Sequence, residues 1–364
     1  MSTEPIRFFL PGPCYVQEDV RAALTAPVLG HRSAEFRAVY ARLAERLPQV
    51  LATRGEVYLM TGSSTLAMES AVLSAVRGPA DGGAVLHLTS GSFSERWHAI
   101  SRSIGKDADR LAVPWGHPLD PDLLRSALKR RRYDAVTIVH NETSTGVLNP
   151  LAELAAVVRE ESDALLLVDT VSSLGGVPVE TDEWGLDVVV AGVQKALAAP
   201  PGLVLVTLSD RAAERAAALP HRGYYTDLLR YRDQHRQTGS TITTPAVPLV
   251  YALDRQIGQV LAEGLPARFA RHEALRRQAA AWAESRGIRY ASQPGCHSPT
   301  VGCFLADRLP APLLVKALAA EGFTLGGGYG DWKETTFRIG HMGEVRSDDL
   351  SRLLTAIDLI HQGA

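Results

Sequence analysis

Cysteine is scarce in this chain, with 3 in 364 residues. Cys14, Cys296 and Cys303 are odd in number and show no C-x-x-C spacing, which points away from a disulfide framework and from a zinc site. No metal is expected, and a reducing, cytoplasmic setting fits. An excess of one charge is missing too. The 38 Lys and Arg against 40 Asp and Glu leave a formal net charge of −2, so no overall field gathers nucleic acid or an anionic membrane. No apolar run approaches the ~20 residues of a bilayer-spanning helix. The opening MSTEPIRFFLPGP lacks a basic segment followed by a long apolar stretch, so no targeting signal is expected. Repeats and low-complexity tracts are absent. What remains is a soluble protein whose natural partners are small molecules.

What is present is apolar content of 46% over 364 residues, enough for a large core divided between two or three lobes. Short β-prone runs (EVYLM, AVLHLTS, AVTIVH, ALLLVD, DVVVAG, GLVLVTL) alternate with helical spacing, as in TLAMESAVLSAV and LAELAAVVREES. This predicts an α/β fold with a mostly parallel sheet covered on both faces, over about residues 17–250. After the Pro-punctuated TITTPAVPLVY the pattern changes to two helical segments, isolated strands and a last helix opened by Ser347 with Asp348 and Asp349 in its first turn. A smaller α+β domain over 251–364, completed by 1–16 and joined through the LPGP loop, is expected. Open parallel sheets bind ligands beyond the carboxyl ends of their strands, so the residues just after each run form the candidate site.

Two of those runs end in a charge. ALLLVD reaches Asp169, and DVVVAGVQK reaches Lys195. An amine and a carboxylate at neighbouring strand ends suit pyridoxal 5′-phosphate: the amine holds the cofactor as an imine, and the carboxylate keeps its pyridine nitrogen protonated. A lysine after a buried strand is otherwise a snorkelling surface charge, and Asp169 otherwise a solvated strand end or a cap. Val171, two residues on, could cover one face of the ring, and Gln194 could donate to it. After EVYLM, Ser63, Ser64 and Thr65 open a helix whose dipole and free amides favour a phosphate; the same residues are ordinary caps elsewhere. Phe93 in GSFSERW could stack on a flat heterocycle or belong to the core. Asn141, Glu142 and Thr143 follow AVTIVH and serve either a ligand or a turn. Arg338, between Phe337 and Ile339, is either an edge-strand charge or a planar fork for a carboxylate. The run Gly326 to Gly328 before it reads as a mobile loop or a plain turn.

The strings PGP, GHR, TGSST, HNETSTGVLNP, VDTVSSLGG, QKALAAPPG, TPAV and FRIGHMG, in this order over essentially the whole chain, resemble the class V aminotransferases of fold type I. The likeness is strongest to their alanine–glyoxylate and serine–pyruvate branch. The resemblance implies that Lys195 carries the cofactor and that Asp169 partners its pyridine nitrogen, with Val171 against the ring. It places Ser63, Ser64, Thr65 and Gln194 on the phosphate, Thr143 beside the ring hydroxyl and the substrate, and Arg338 on the substrate carboxylate. Gly12 of the PGP loop falls where the family contacts substrate with backbone. A homodimer is implied, with Thr241 and Thr244 completing the partner's phosphate site. The implied reaction moves an amino group from a small amino acid, alanine or serine, to a 2-oxo acid such as glyoxylate or pyruvate. Three departures stand out: Phe93 replaces a frequent tryptophan, Ser64–Thr65 replaces Gly-Thr or Gly-His, and Cys14 sits in the PGP loop, where packing is the expected role. Arg32 in GHRS is a further cation that could meet a side-chain carboxylate. Two other activities are compatible with such a chain, a cysteine desulfurase or other lyase on the same fold and a non-catalytic subunit of a larger complex; Gln194 in place of a histidine before Lys195 argues against the desulfurase.

Overall fold

A computed structural model describes residues 5–363. The strands are β1 (Phe8–Phe9), β2 (Val57–Thr61), β3 (Val85–Thr89), β4 (Ala108–Ala112), β5 (Ala135–Val139), β6 (Asn141–Glu142), β7 (Val147–Leu148), β8 (Leu165–Asp169), β9 (Val188–Gly192), β10 (Leu203–Thr207), β11 (Val301–Leu305), β12 (Thr324–Gly327) and β13 (Thr336–Gly340). The α-helices are α1 (Glu18–Ala23), α2 (Ala34–Val50), α3 (Ser64–Ala75), α4 (Ser92–Ser103), α5 (Pro121–Arg130), α6 (Leu151–Glu161), α7 (Asp210–Ala217), α8 (Leu228–Thr238), α9 (Val247–Glu263), α10 (Leu265–Ser285), α11 (Ala311–Ala320) and α12 (Ser347–Gly363).

Seven strands form the large sheet in the order β2-β10-β9-β8-β5-β3-β4. The four central strands β9, β8, β5 and β3 run parallel, as does the edge strand β4, while β10 is antiparallel to both of its neighbours. Every residue of β3, β5, β8, β9 and β10 is buried, which is why these segments read as continuous apolar runs rather than alternating ones. Successive residues still serve opposite faces. Leu166, Val168, Val189 and Ala191 join one core, and Leu165, Leu167, Val188 and Val190 join the other. Each fully buried Leu or Val contributes about 1.5–3 kcal/mol, and together they fix the strand ends that carry Asp169 and the approach to Lys195.

The smaller sheet has the order β1-β12-β13-β11. Its core takes Ile6 and Phe9 from the start of the chain together with Leu275, Phe304, Phe337, Ile339 and Leu353. The expected boundary after residue 250 falls inside α9. Val250, Leu253 and Ile257 of that helix lie in the large-domain core, where α9 packs on α1 and α2; the first helical residue of the small-domain core is Leu275, in α10. The glycine run is neither a free loop nor a plain turn at its start: Gly326 and Gly327 close β12 in register with Arg338 and Phe337. No described helix is long and apolar enough to cross a membrane, and no group of His, Cys, Asp and Glu among the described residues could hold a metal ion.

Candidate active site

The carboxyl ends of β5, β8 and β9, the start of α3 and the start of α4 converge on one cavity of about 150 Å³. Ser63, Ser64, Thr65, Phe93, Thr143, Asp169, Val171, Gln194 and Lys195 all line it. Parallel pairing of β8 with β9, with Asp169 opposite Val190, sets the carboxylate two residues from the end of β9 and brings the following turn, with Lys195, over it. Ala198 carries a positive φ of 57° in that turn, and its N–H donates to the Lys195 carbonyl at 2.8 Å.

Lys195 is 9% exposed and Asp169 5%. Burial penalises both charges. It pulls the Lys195 ammonium down to about 8, with Arg338 acting in the same direction and Cys14, Asp169 and Glu142 opposing. It pushes the Asp169 carboxyl up to about 7 despite the hydrogen bond from Val171 N–H to Oδ1 at 2.7 Å. Near neutrality the pair is therefore poised, with a nucleophilic amine in reach of solution pH and a carboxylate ready to accept a cationic partner. Lys195 Nζ donates to the Pro11 carbonyl at 2.5 Å and lies 5.6 Å from the centre of the Phe93 ring.

The PGP loop is part of this wall. Cys14 N–H donates to the Gln194 carbonyl at 2.9 Å, and Gly12, at φ +122°, presses on the lysine: a Cβ there would stand 2.2 Å from Lys195 Cδ and 2.8 Å from Nζ. Cys14 itself is buried and its thiol is pushed up to about 12, chiefly by burial, as expected of a packing residue.

At the opposite end of the cavity α3 begins. Its N-cap, Ser63, makes no side-chain cap hydrogen bond, and Ser64 Oγ is buried with no partner. Leaving donors unpaired at a helix start costs about 1–3 kcal/mol per buried group, and an anion held there would recover it. A phosphate at α3, an aldehyde at Lys195 and a ring nitrogen at Asp169 match the donor set, so these residues fit pyridoxal 5′-phosphate.

Arg338 is 8% exposed on β13. Its Nε donates to the Gly327 carbonyl at 2.9 Å and its Nη1 to the Thr143 carbonyl at 3.2 Å. The small domain thus holds the guanidinium against the large-domain loop that carries Thr143, with Nη2 free of protein partners among the described residues. Thr241 and Thr244 do not line the cavity of their own chain; Thr241 Oγ1 donates to the Thr243 carbonyl at 2.7 Å, and Thr244 is exposed.

Met68, Val139 and Ser172 also line the cavity, and two polar residues the sequence does not single out, Arg96 and Tyr329, meet at its wall. Arg96 lines the cavity, lies 4.9 Å over the Phe93 ring and donates from Nη2 to Tyr329 Oη at 2.7 Å. Tyr329 stacks on Phe93 with ring centres 5.3 Å apart at 21° and has Arg338 Cζ 5.4 Å from its own ring centre. Arg96 follows Phe93 by three positions, which places both on one helix face; that spacing was the available signal. Tyr329 reaches the site only through the tertiary fold.

The aminotransferase class-V family matches residues 19–329. The chain is 35% identical to a protein named soluble hydrogenase, small subunit, of Synechococcus sp., over 96% of this chain and 91% of that one. It is 33% identical to serine–glyoxylate aminotransferase of Methylorubrum extorquens, over 93% and 86%. Among solved structures, aspartate aminotransferase of subgroup IV from Thermus thermophilus superposes with a TM-score of 0.89 at 31% identity, covering 98% of this chain and 99% of that one. The chain belongs to the class-V aminotransferases, pyridoxal-phosphate-dependent transaminases of fold type I.

Proposed function

We propose that the protein transfers the amino group of a small α-amino acid, alanine or serine in preference to aspartate, to a 2-oxo acid such as glyoxylate or pyruvate, in two successive half-reactions. The observation that carries this reading is the enclosure of a low-pKa lysine and a carboxylate in one cavity with an uncapped helix start. Lys195 would hold the cofactor, Asp169 would keep its pyridine nitrogen protonated, Phe93 and Val171 would lie against its ring, and Ser63, Ser64, Thr65 and Gln194 would hold its phosphate. When bound, the cofactor supplies an electron sink for the substrate carbanion and stores the amino group between the two half-reactions. Arg338 grips the substrate carboxylate as a planar fork, beside Thr143. The Lys195 amine, whose ammonium burial weakens, would take the proton from the substrate α-carbon and hand it to the cofactor within the first half-reaction, and would run the same transfer in reverse to the α-carbon of the second substrate.

The sequence likeness also supports a homodimer in which Thr241 and Thr244 of one protomer complete the phosphate site of the other; their place outside their own cavity is consistent with that role. A cysteine desulfurase is disfavoured because it needs a reactive thiolate. All three thiols are buried, with Cys14 raised to about 12, Cys303 to about 11, and Cys296 raised as well, burial being the main cause in each.

The test is to add amino acids one at a time to the loaded protein and follow the cofactor's visible absorption. Alanine or serine should convert it to the amine form, and glyoxylate or pyruvate should restore it. No change with any amino acid would favour a non-catalytic subunit, and sulfide release from cysteine would favour the desulfurase.

Two substitutions probe the assigned contacts. Arg338→Lys keeps the charge but loses the fork, so KM for the amino donor should rise by about 10- to 100-fold with a smaller change in kcat, read by steady-state kinetics. Gly12→Ala forces a Cβ into the Lys195 side chain at a backbone angle that L residues rarely adopt. It should weaken cofactor loading by about tenfold, equivalent to the ~1–2 kcal/mol of such strain, measured by absorbance titration with pyridoxal phosphate.

A further inference from the structure

The helix that presents Phe93 and Arg96 to the cavity begins without a cap of its own. The residue at the N-cap of α4 is Gly91, which has no side chain to accept its first amide protons. Those protons are taken instead by a loop about fifty positions further along the chain. Ser144 Oγ accepts the N–H of Ser92 at 3.0 Å, and Glu142 Oε2 accepts those of Phe93 at 3.1 Å and Ser94 at 3.0 Å. The other carboxylate oxygen, Oε1, accepts from Ser144 N–H at 3.2 Å and from Ser144 Oγ at 2.6 Å. Glu142 is fully buried, and glycine at position 91 is what lets it approach, since a Cβ there would meet Ser144 Oγ at 2.5 Å and Glu142 Cγ at 2.6 Å.

We infer that Glu142 is a positioning residue for cofactor binding: its carboxylate caps α4 from beyond the end of the neighbouring strand β5 and so locks the Phe93 wall to the loop that carries Thr143 and, through the Thr143 carbonyl, Arg338. A buried carboxylate receiving several donors at a helix start is held there by charge–dipole attraction as well as by hydrogen bonds. Its geometry ties three parts of the site together, so displacement of one moves the others. Burial pushes the Glu142 carboxyl above its ordinary range, opposed by the hydrogen bonds from Ser144 and Ser94 that favour the carboxylate form beside the reacting groups. Lys195 is faced by Cys14, Arg338, Asp169 and Glu142, and Asp169 by Glu142, Lys195 and Arg96; in both sets Glu142 favours the protonated form.

The inference rests on the proposed role of Lys195, and its test separates the two. Glu142→Gln keeps the shape and one acceptor oxygen but removes the charge. In the loaded protein it should raise the dissociation constant for pyridoxal phosphate about tenfold. It should also move the pH midpoint of the bound cofactor's absorption downward, the sign expected when a nearby negative charge that favours the protonated form is removed. Asp134→Asn serves as the control, since Asp134 is buried but paired with Arg77 and Arg215 away from the cavity; it should lower thermal stability and leave both readings unchanged. Ser144→Ala removes the Ser92 acceptor while keeping the charge, and should weaken cofactor binding about threefold with little shift in midpoint. If Glu142→Gln folds with both readings at wild-type values, or if it does not fold and Ser144→Ala binds cofactor as wild type does, the inference is overturned. If the wild-type protein does not take up the cofactor at all, the proposed function is what fails.

Discussion

Lys195→Ala should lose transamination by about 10⁴-fold or more, the combined scale of removing a covalent anchor and a positioned proton carrier. The loss should be chemical and not structural. The wild-type amine is buried and its one hydrogen-bond partner among the described residues is the Pro11 carbonyl, so folding carries the cost of desolvating it. Deleting it should leave the unliganded protein at least as resistant to heat as the parent. The same burial makes a pH prediction with a definite sign. An ordinary lysine is mostly protonated until pH approaches 10.5, and because only the neutral amine attacks an aldehyde its rate climbs with pH up to that point. With its ammonium held near 8, Lys195 should take up pyridoxal phosphate at a rate that climbs with pH, about tenfold per unit below 8, and levels off above it. Stopped-flow absorbance on the unliganded protein reads this directly; a rate still rising at pH 10 would mean that the lysine is not buried as described.

Asp169→Asn should lower kcat by about 10²- to 10⁴-fold while the protein still folds and still takes up the cofactor. Asparagine keeps the oxygen that accepts the Val171 N–H and keeps the volume, so the strand end is preserved. What it cannot do is compensate a protonated pyridine nitrogen. The cost should therefore fall on kcat more than on KM, and steady-state kinetics with the loaded variant would show it. An equal rise in KM with kcat unchanged would place Asp169 in substrate binding and not in proton chemistry.

How much of this was legible from sequence depends on how local the cause is. Asp169 and Lys195 could be read because β8 and β9 are buried on both faces, so their apolar runs announce the strands and the first charges mark the ends. Ser63 to Thr65 were legible for the same reason, as a polar opening to an apolar helix. The edge strand β4, sequence ADRLA, was not in the set of predicted strands: it is half exposed and carries Asp109 and Arg110, as edge strands do to discourage further pairing. The expected boundary after residue 250 falls inside α9 because Pro248, which reads as punctuation in the sequence, sits in the first turn of that helix, where proline is tolerated. The cap of α4 was invisible because Glu142 and Ser144 lie about fifty positions from the amides they satisfy, and only the parallel pairing of the sheet brings them together. Tyr329 was hidden for a similar reason, since a half-buried aromatic in a glycine-rich segment has no local pattern that distinguishes a site wall from a loop.

The most direct test of the account is to load the protein with pyridoxal phosphate, reduce it with borohydride, and map the modified peptide by mass spectrometry. The account predicts one stoichiometric phosphopyridoxyl group on Lys195 and none on the other lysines. Modification elsewhere, or none at all in protein that has bound the cofactor, would contradict it.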